Sequence, residues 1–427
     1  MKFINTILIL IAIVAVNTLS AETTEVKVAT GKSYANYVTY NLADDATKEN
    51  PITSWDLAIV CPGQNASILI NSGAGCKLWE VVGKTVEDFG NPIDTTDIDN
   101  NEAAFREWSN SDDTWAVGAF NCGLNGFEQD GDFGWGSYNM STHQITGTKL
   151  FVIRNVNGDF YQIRIEDLIS GDFYFSYANL DGSEVETEDI GKSSFPDKTF
   201  GYYTLATRAK SDLDPVDWSL LFGKYSAMVD DGMGGKVPYM VNGIRTNYGW
   251  STAKIEGQDP ANVVTPVTDD FSYIITTIGH TWKTLNSSFQ WVIPTDLCYF
   301  VQSPDGLIWK LVFTQFAGAS TGEATFEKTP VEPNSVEDND GNVLGFFAIT
   351  PNVITSGQSF DLAYGITGEV NSSDIQIYDM SGNMVFSQKL DNSQLSGVRV
   401  SPRLSAGMYM VVMSINGNAS SQKLIVQ

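Results

Sequence analysis

Apolar and polar residues alternate along two hairpin-like stretches of the chain. In the first, Phe151, Val152, Ile153 and Arg154 lead to a turn at Asn157-Gly158, after which Tyr161, Ile163 and Ile165 alternate with Gln162, Arg164 and Glu166. In the second, Tyr299, Phe300, Val301 and Gln302 lead to Asp305-Gly306, followed by Trp309, Leu311 and Phe313. Successive side chains of a strand point to opposite faces, and Asn-Gly or Asp-Gly supplies the left-handed backbone of a tight turn. Both stretches therefore predict antiparallel hairpins with one wet face. The 38 glycines and 14 prolines recur at short intervals, and few stretches carry a helical period. The pattern predicts an all-β chain.

The hairpins close two longer segments of one design. Ser54-Trp55-Asp56-Leu57-Ala58-Ile59 and Ile70-Asn71-Ser72-Gly73 in the first are echoed by Asp217-Trp218-Ser219-Leu220-Leu221-Phe222 and Arg245-Thr246-Asn247-Tyr248-Gly249 in the second. Aromatic stretches precede each, Tyr37-Val38-Thr39-Tyr40 and Tyr202-Tyr203-Thr204-Leu205, and Thr114-Trp115 recurs as Thr281-Trp282. The chain thus divides into two tandem antiparallel domains at 22–192 and 193–333, the second more divergent, with a linker at 334–345. Closely spaced strands over residues 346–427, including Ile375–Tyr378, Met384–Phe386 and Met408–Val412, predict a small immunoglobulin-like sandwich.

Residues 1–21 read as an export signal: Lys2, the apolar run Ile7–Val16, and small residues at Ser20-Ala21. The run is too short to span a bilayer, and no other stretch reaches the necessary ~20 apolar residues. With 25 Lys and Arg against 51 Asp and Glu, the net charge of −26 argues against nucleic acid or anionic lipid as partners. Cys61, Cys76, Cys122 and Cys298 contain no CxxC, which excludes zinc-ribbon and thioredoxin readings. Cys61 and Cys76 flank one predicted hairpin and are the disulfide candidate. Two histidines, His143 and His280, leave no multi-histidine metal centre. HExxH and GxxxxGK[ST] are absent, so no enzyme is expected. Glu128–Asp132 and Asp338–Asn342 place oxygens at alternate positions but lack a full calcium loop, so calcium is not expected.

Residues 346–427 resemble the C-terminal sorting domain of the type IX secretion system of Bacteroidetes. The resemblance rests on Ile349-Thr350-Pro351-Asn352, on the stretch from Ile375 to Gly382, on Ala406-Gly407-Met408-Tyr409 and on Lys423-Leu424-Ile425-Val426, with Val353 where the family has a second proline. It implies export across the outer membrane by that machinery, removal of the tail, and a secreted or surface location. Residues 30–190 resemble the HmuY family of haem-binding proteins through Trp55-Asp56-Leu57-Ala58, Asn71-Ser72-Gly73 and the stretch from Trp135 to Ile165. Residues 195–333 resemble it more loosely. That likeness implies a β-rich fold, noncovalent haem capture and delivery to an outer-membrane haem importer.

Under that expectation His143, His280 and Met140 are the axial-ligand candidates, because imidazole and thioether ligate haem iron. Trp115, Trp135 and Tyr138 are the pocket aromatics. Arg154, Arg164 and Lys149 are the propionate partners. The alternative is a cofactor-free surface protein that uses the same scaffold to recognise glycan or protein.

Overall fold

A computed structural model describes residues 23–121, 131–263, 265–266, 270–331, 344–350, 352–366, 372–379, 382–390, 398–416 and 418–427. The expected export signal, Cys122, most of the 128–132 stretch and all of 338–342 lie outside these residues. The described chain is built from strands joined by turns and short 3-10 turns, and all but one of the strand pairings are antiparallel. It opens with β1 (Thr24–Ala29), β2 (Asn36–Tyr40) and β3 (Thr47–Pro51). There follow β4 (Leu57–Val60), β5 (Ile68–Ile70), β6 (Lys77–Val81), β7 (Phe105–Trp108), β8 (Gly136–Asn139) and β9 (Gln144–Gly147). The first predicted hairpin is β10 (Phe151–Arg154) with β11 (Phe160–Ile169), and β12 (Asp172–Asn179) follows it. Next come β13 (Glu186–Gly191), β14 (Phe200–Thr204) and β15 (Ala209–Ser211). The second repeat runs through β16 (Leu220–Asp230), β17 (Lys236–Thr246), β18 (Ser251–Glu256), β19 (Thr284–Leu285) and β20 (Trp291–Val292). It ends with the second hairpin, β21 (Leu297–Gln302) and β22 (Ile308–Phe316), and with β23 (Glu323–Val331).

The repeats share a topology. One large sheet has the order β13-β12-β11-β10-β6-β7, and the other β1-β23-β22-β21-β18. The small sheets run β15-β14-β4-β5 and β3-β2-β16-β17. Turn glycines Gly158 and Gly306 both sit at φ +90°, where a side chain would be strained. The second strand of each hairpin then breaks register with the strand that follows it, between Ile165 and Asp167 in one repeat and between Phe313 and Gln315 in the other. A duplication therefore underlies the fold.

The pairings do not follow the 192/193 boundary, however. Strands β1 and β2 lead the first repeat in sequence but pair with β23 and β16 of the second. Strands β13 and β14 lead the second repeat but pair with β12 and β4 of the first. Each repeat lends its leading strands to the other. The segment 22–192 is consequently not a self-contained sheet system, because β1, β2 and β4 would lose partners that lie beyond its end.

Polar side chains fix this exchange at equivalent places. The Ser219 hydroxyl accepts from the Leu42 amide at 3.0 Å, and the Asp56 carboxylate accepts from the Leu205 amide at 2.8 Å. Asn71 and Asn247 each donate a side-chain N–H to the carbonyl of the tryptophan before the anchor, Trp55 and Trp218, at 2.8 Å. Satisfying buried polar groups across the repeats sets the register as firmly as the apolar alternation does.

The two small sheets form the middle of a stack. Leu57, Ile59, Ile68 and Ile70 face the first large sheet, where they meet Phe151, Ile163 and Phe175. Val38, Tyr40, Leu220 and Phe222 face the second large sheet, meeting Tyr299, Leu311 and Phe326. Between the small sheets lie Tyr37, Ala58, Leu69, Trp115, Phe200, Tyr202 and Leu221. Sheets covered on both faces need near-continuous apolar strands, and β4 (Leu-Ala-Ile-Val) is buried at every position.

The tail contains β24 (Leu344–Thr350), β25 (Val353–Ile354), β26 (Phe360–Ile366), β27 (Ser373–Asp379), β28 (Met384–Lys389), β29 (Val398–Val400), β30 (Gly407–Ile415) and β31 (Asn418–Val426). They form two sheets, β24-β26-β29 and β25-β31-β30-β27-β28, around one apolar core. Ile375, Ile377, Leu424 and Val426 are core residues, so the motifs that carried the resemblance are the inward-facing positions of its strands.

Candidate functional site

The haem-ligand candidates lie apart. Met140 is 82% exposed on the turn between β8 and β9. His143 is exposed on the same turn, and its Nδ1 is 2.6 Å from the Tyr138 hydroxyl. His280 is half-buried beyond β18, with its pKa lowered by burial and by Lys283. None of the three lines a cavity described below. Trp135 is wholly buried against Phe173, and Tyr138 packs on Phe133. Trp115 lies between the small sheets, whereas Trp282 is stacked on Phe313 in a different core, so the two Thr-Trp pairs are not equivalent.

The propionate candidates are already engaged. Arg154 donates to the Gly75 carbonyl at 3.0 Å, and Arg164 binds Glu166 at 2.8 Å and the Val86 carbonyl at 3.0 Å. Lys149 binds Glu80 at 3.4 Å and lies over the Trp108 ring. The expected Cys61–Cys76 disulfide is a correction: both are free thiols. The reason is geometric. Cys76 lies 3.7 Å from the Asp56 carboxylate at the start of β4, while Cys61 follows the end of that strand. Among the described residues, no group of three or more His, Cys, Asp and Glu is arranged to hold a metal.

Among the described residues, a cleft of about 800 Å³ lies where loops of the two repeats meet. The first repeat's sheets contribute Cys61, Pro62 and the run Phe195–Thr199, and the second's contribute Trp218, Tyr248, Trp250 and Trp309. Trp250 stacks on Trp309 with ring centres 5.9 Å apart and 30° between planes. Tyr248 is 38% exposed at its rim, with its hydroxyl 3.4 Å from the Asn65 amide. Asp197, Asp217 and Asp305 line the same cleft with Lys192 and Lys198. Burial lowers the Lys192 pKa, and its ammonium donates to the carbonyls of Gly63 and Asn65 at 3.1 and 2.6 Å. Burial also pushes the neighbouring Cys61 thiol up to about 11, so it is protonated and unreactive at neutral pH. Across the loop of Tyr248 and Trp250 lies a second depression of about 250 Å³, lined by Trp115, Ile275 and the exposed Tyr273. The two hollows make one aromatic surface with hydrogen-bonding side chains at its edge.

A smaller cavity of about 40 Å³ sits between the two small sheets, next to Trp115, Tyr202 and Arg245. Sequence reasoning missed both places. Tyr248, Trp309 and Arg245 stand in the stretches that revealed the repeat, where alternation marks them as strand or turn residues and says nothing of a shared surface.

Residues 357–427 match a family described as a secretion system C-terminal sorting domain. The tail is a type IX secretion sorting domain, and the chain is a secreted or outer-membrane-surface protein. No curated protein matches the chain. Solved structures similar to it include dimeric latent PorU from Porphyromonas gingivalis, at 10% identity and a TM-score of 0.19, covering 67% of this chain and 31% of that one. A putative lipoprotein from Bacteroides fragilis matches at 12% identity and a TM-score of 0.17, over 47% of this chain and 97% of its own. The BSP domain of a biofilm associated protein matches at 8% identity and a TM-score of 0.17, over 87% and 82%. At such TM-scores these likenesses carry no functional argument. No described helix is long and apolar enough to cross a membrane.

Proposed function

We propose that this exported chain is a cofactor-free surface binding protein that recognises neutral glycans in the cleft between its repeats. The observation that carries the reading is the cleft of about 800 Å³ walled by Trp250, Trp309 and Tyr248 and edged by carboxylates and ammonium groups. Its volume falls in the range of ligand pockets, and aromatic rings offer large apolar faces with polar tips. A sugar ring matches such a wall, with C–H groups on its face and hydroxyls around its rim. The hydroxyls both donate and accept, which suits Asp217, Asp305 and Lys192 together. Haem capture, implied by the resemblance, requires His143 or His280 beside an apolar slot, and neither borders this cleft.

The test is a tryptophan-fluorescence titration of the full mature chain with a panel of neutral oligosaccharides. At least one is expected to bind saturably, with Trp250→Ala and the surface variant Tyr248→Ala weakening it about tenfold. Failure of every glycan overturns the proposal. So does a haemin titration giving a Soret band that His143→Ala abolishes, which restores the haem reading in its place.

A further inference from the structure

The polar anchors that the two repeats share frame one break in their equivalence. Asn71 and Asn247 hold equivalent hydrogen bonds to Trp55 and Trp218. Two residues before each asparagine stand Leu69, opposite Ala58, and Arg245, opposite Leu221. Both face the layer between the small sheets. One repeat fills its place with an apolar side chain, and the other inserts a guanidinium.

That guanidinium lies 4.8 Å from the Trp115 ring centre and 4.9 Å from the Tyr225 ring centre. Among the described residues it has no hydrogen-bond or ion-pair partner. Burial lowers its pKa to about 10, so it remains charged at neutral pH. The groups that act on it electrostatically are the neutral phenols of Tyr225 and Tyr202. Lys224, on the neighbouring strand β16, meets the cavity wall through its backbone, since its side chain shares the face of Leu220 and Phe222 rather than that of Leu221 and Tyr225. The Arg245 guanidinium is only partly exposed and has no acidic partner among the described residues, so its free N–H donors suit an anion from outside.

We infer that the cavity between the small sheets is a binding site for a carboxylate, held by the Arg245 guanidinium. The cavity of about 40 Å³ admits a group the size of a few waters, which fits a carboxylate and excludes a larger head. Aromatic rings near the guanidinium leave its edge as the donor surface, and that planar fork matches a carboxylate through two parallel hydrogen bonds. Trp55, Ser72 and Asn110 are only partly buried and form its rim. Gly73 keeps the opposing wall close, since a Cβ there would stand 2.2 Å from the Lys224 carbonyl oxygen. No residue lines both this cavity and the glycan cleft, so the inference stands independently of that reading.

Acetate and glucuronate, each titrated into the full mature chain by calorimetry at constant ionic strength, test it. Acetate is expected to bind saturably. Binding by both assigns the site to a carboxylate carried on a sugar as well as a free one, and binding by acetate alone restricts it to small free acids. Arg245→Leu installs the residue of the sister repeat and should fold, while losing about tenfold or more in affinity. No acetate binding, equal binding of chloride, or unchanged affinity in Arg245→Leu overturns the site.

Discussion

The Asp56 carboxylate accepts the amide hydrogen of Leu205 at 2.8 Å across 149 residues of sequence. Its other oxygen accepts from the Val156 amide at 2.8 Å. One side chain thereby ties β4 to the strand lent by the second repeat and to the turn of the first hairpin. The Ser219 hydroxyl makes the matching bond to Leu42 in the other repeat.

Removing this tie should loosen the exchange. Asp56→Ala leaves the Leu205 and Val156 amides without acceptors and is expected to cost roughly 2–4 kcal/mol in denaturant unfolding. Asp56→Ser copies the sister repeat and should retain part of that loss, because Ser219 shows that a hydroxyl can reach the equivalent amide. Asp56→Asn should also destabilise, since it turns one acceptor into a donor facing an N–H. An alanine variant as stable as the wild type would remove Asp56 from the mechanism of exchange.

The cysteines make a second prediction. Cys76 is buried beside Asp56, and burial with that carboxylate drives its thiol far above the ordinary range; burial raises Cys61 to about 11 and also raises Cys298. Thiolates are the reactive form, so all three should resist alkylation in the native protein at pH 8. In denaturant without reductant, all three should be labelled, as mass spectrometry of peptides would show. An unlabelled Cys61–Cys76 pair released only by reductant would restore the disulfide.

Much of the fold was legible. Period-two alternation located both hairpins, and the Trp-Asp and Trp-Ser strands exposed the duplication, because these signals are local. The exchange of leading strands was not legible. Pairing Thr24 with Lys328 depends on a topology that no local pattern records. The aromatic stretches at Tyr37 and Tyr202 even suggested the opposite, since each precedes the strand of its own repeat but packs beside the strand of the other. The candidate site was less legible still. His143 drew attention for its chemistry, yet its backbone at φ +57° belongs to a tight exposed turn. Arg245 became visible only when both anchors aligned it with Leu69.

Asp214 links the fold to pH. It lies in the loop before β16, is 2% exposed, and receives the Tyr202 hydroxyl, while its backbone carbonyl accepts from the Lys198 ammonium at 2.6 Å. Burial pushes its carboxyl up to about 6, with the hydrogen bond from Tyr202 opposing the rise. The folded protein therefore holds this proton more tightly than the unfolded chain, whose carboxyl titrates near ~3.9. The stabilising contribution is complete below that ordinary value and is lost as pH rises through about 6. A shift of this size corresponds to roughly 3 kcal/mol at most. Asp214→Asn keeps an oxygen for Tyr202 and removes the titration, so its stability should change less than the wild type's between pH 4 and pH 6.5. Urea unfolding across that window measures the difference directly. Parallel curves for the two proteins would mean that Asp214 titrates as an ordinary surface acid, and that the layer between the small sheets is wetter than its packing indicates.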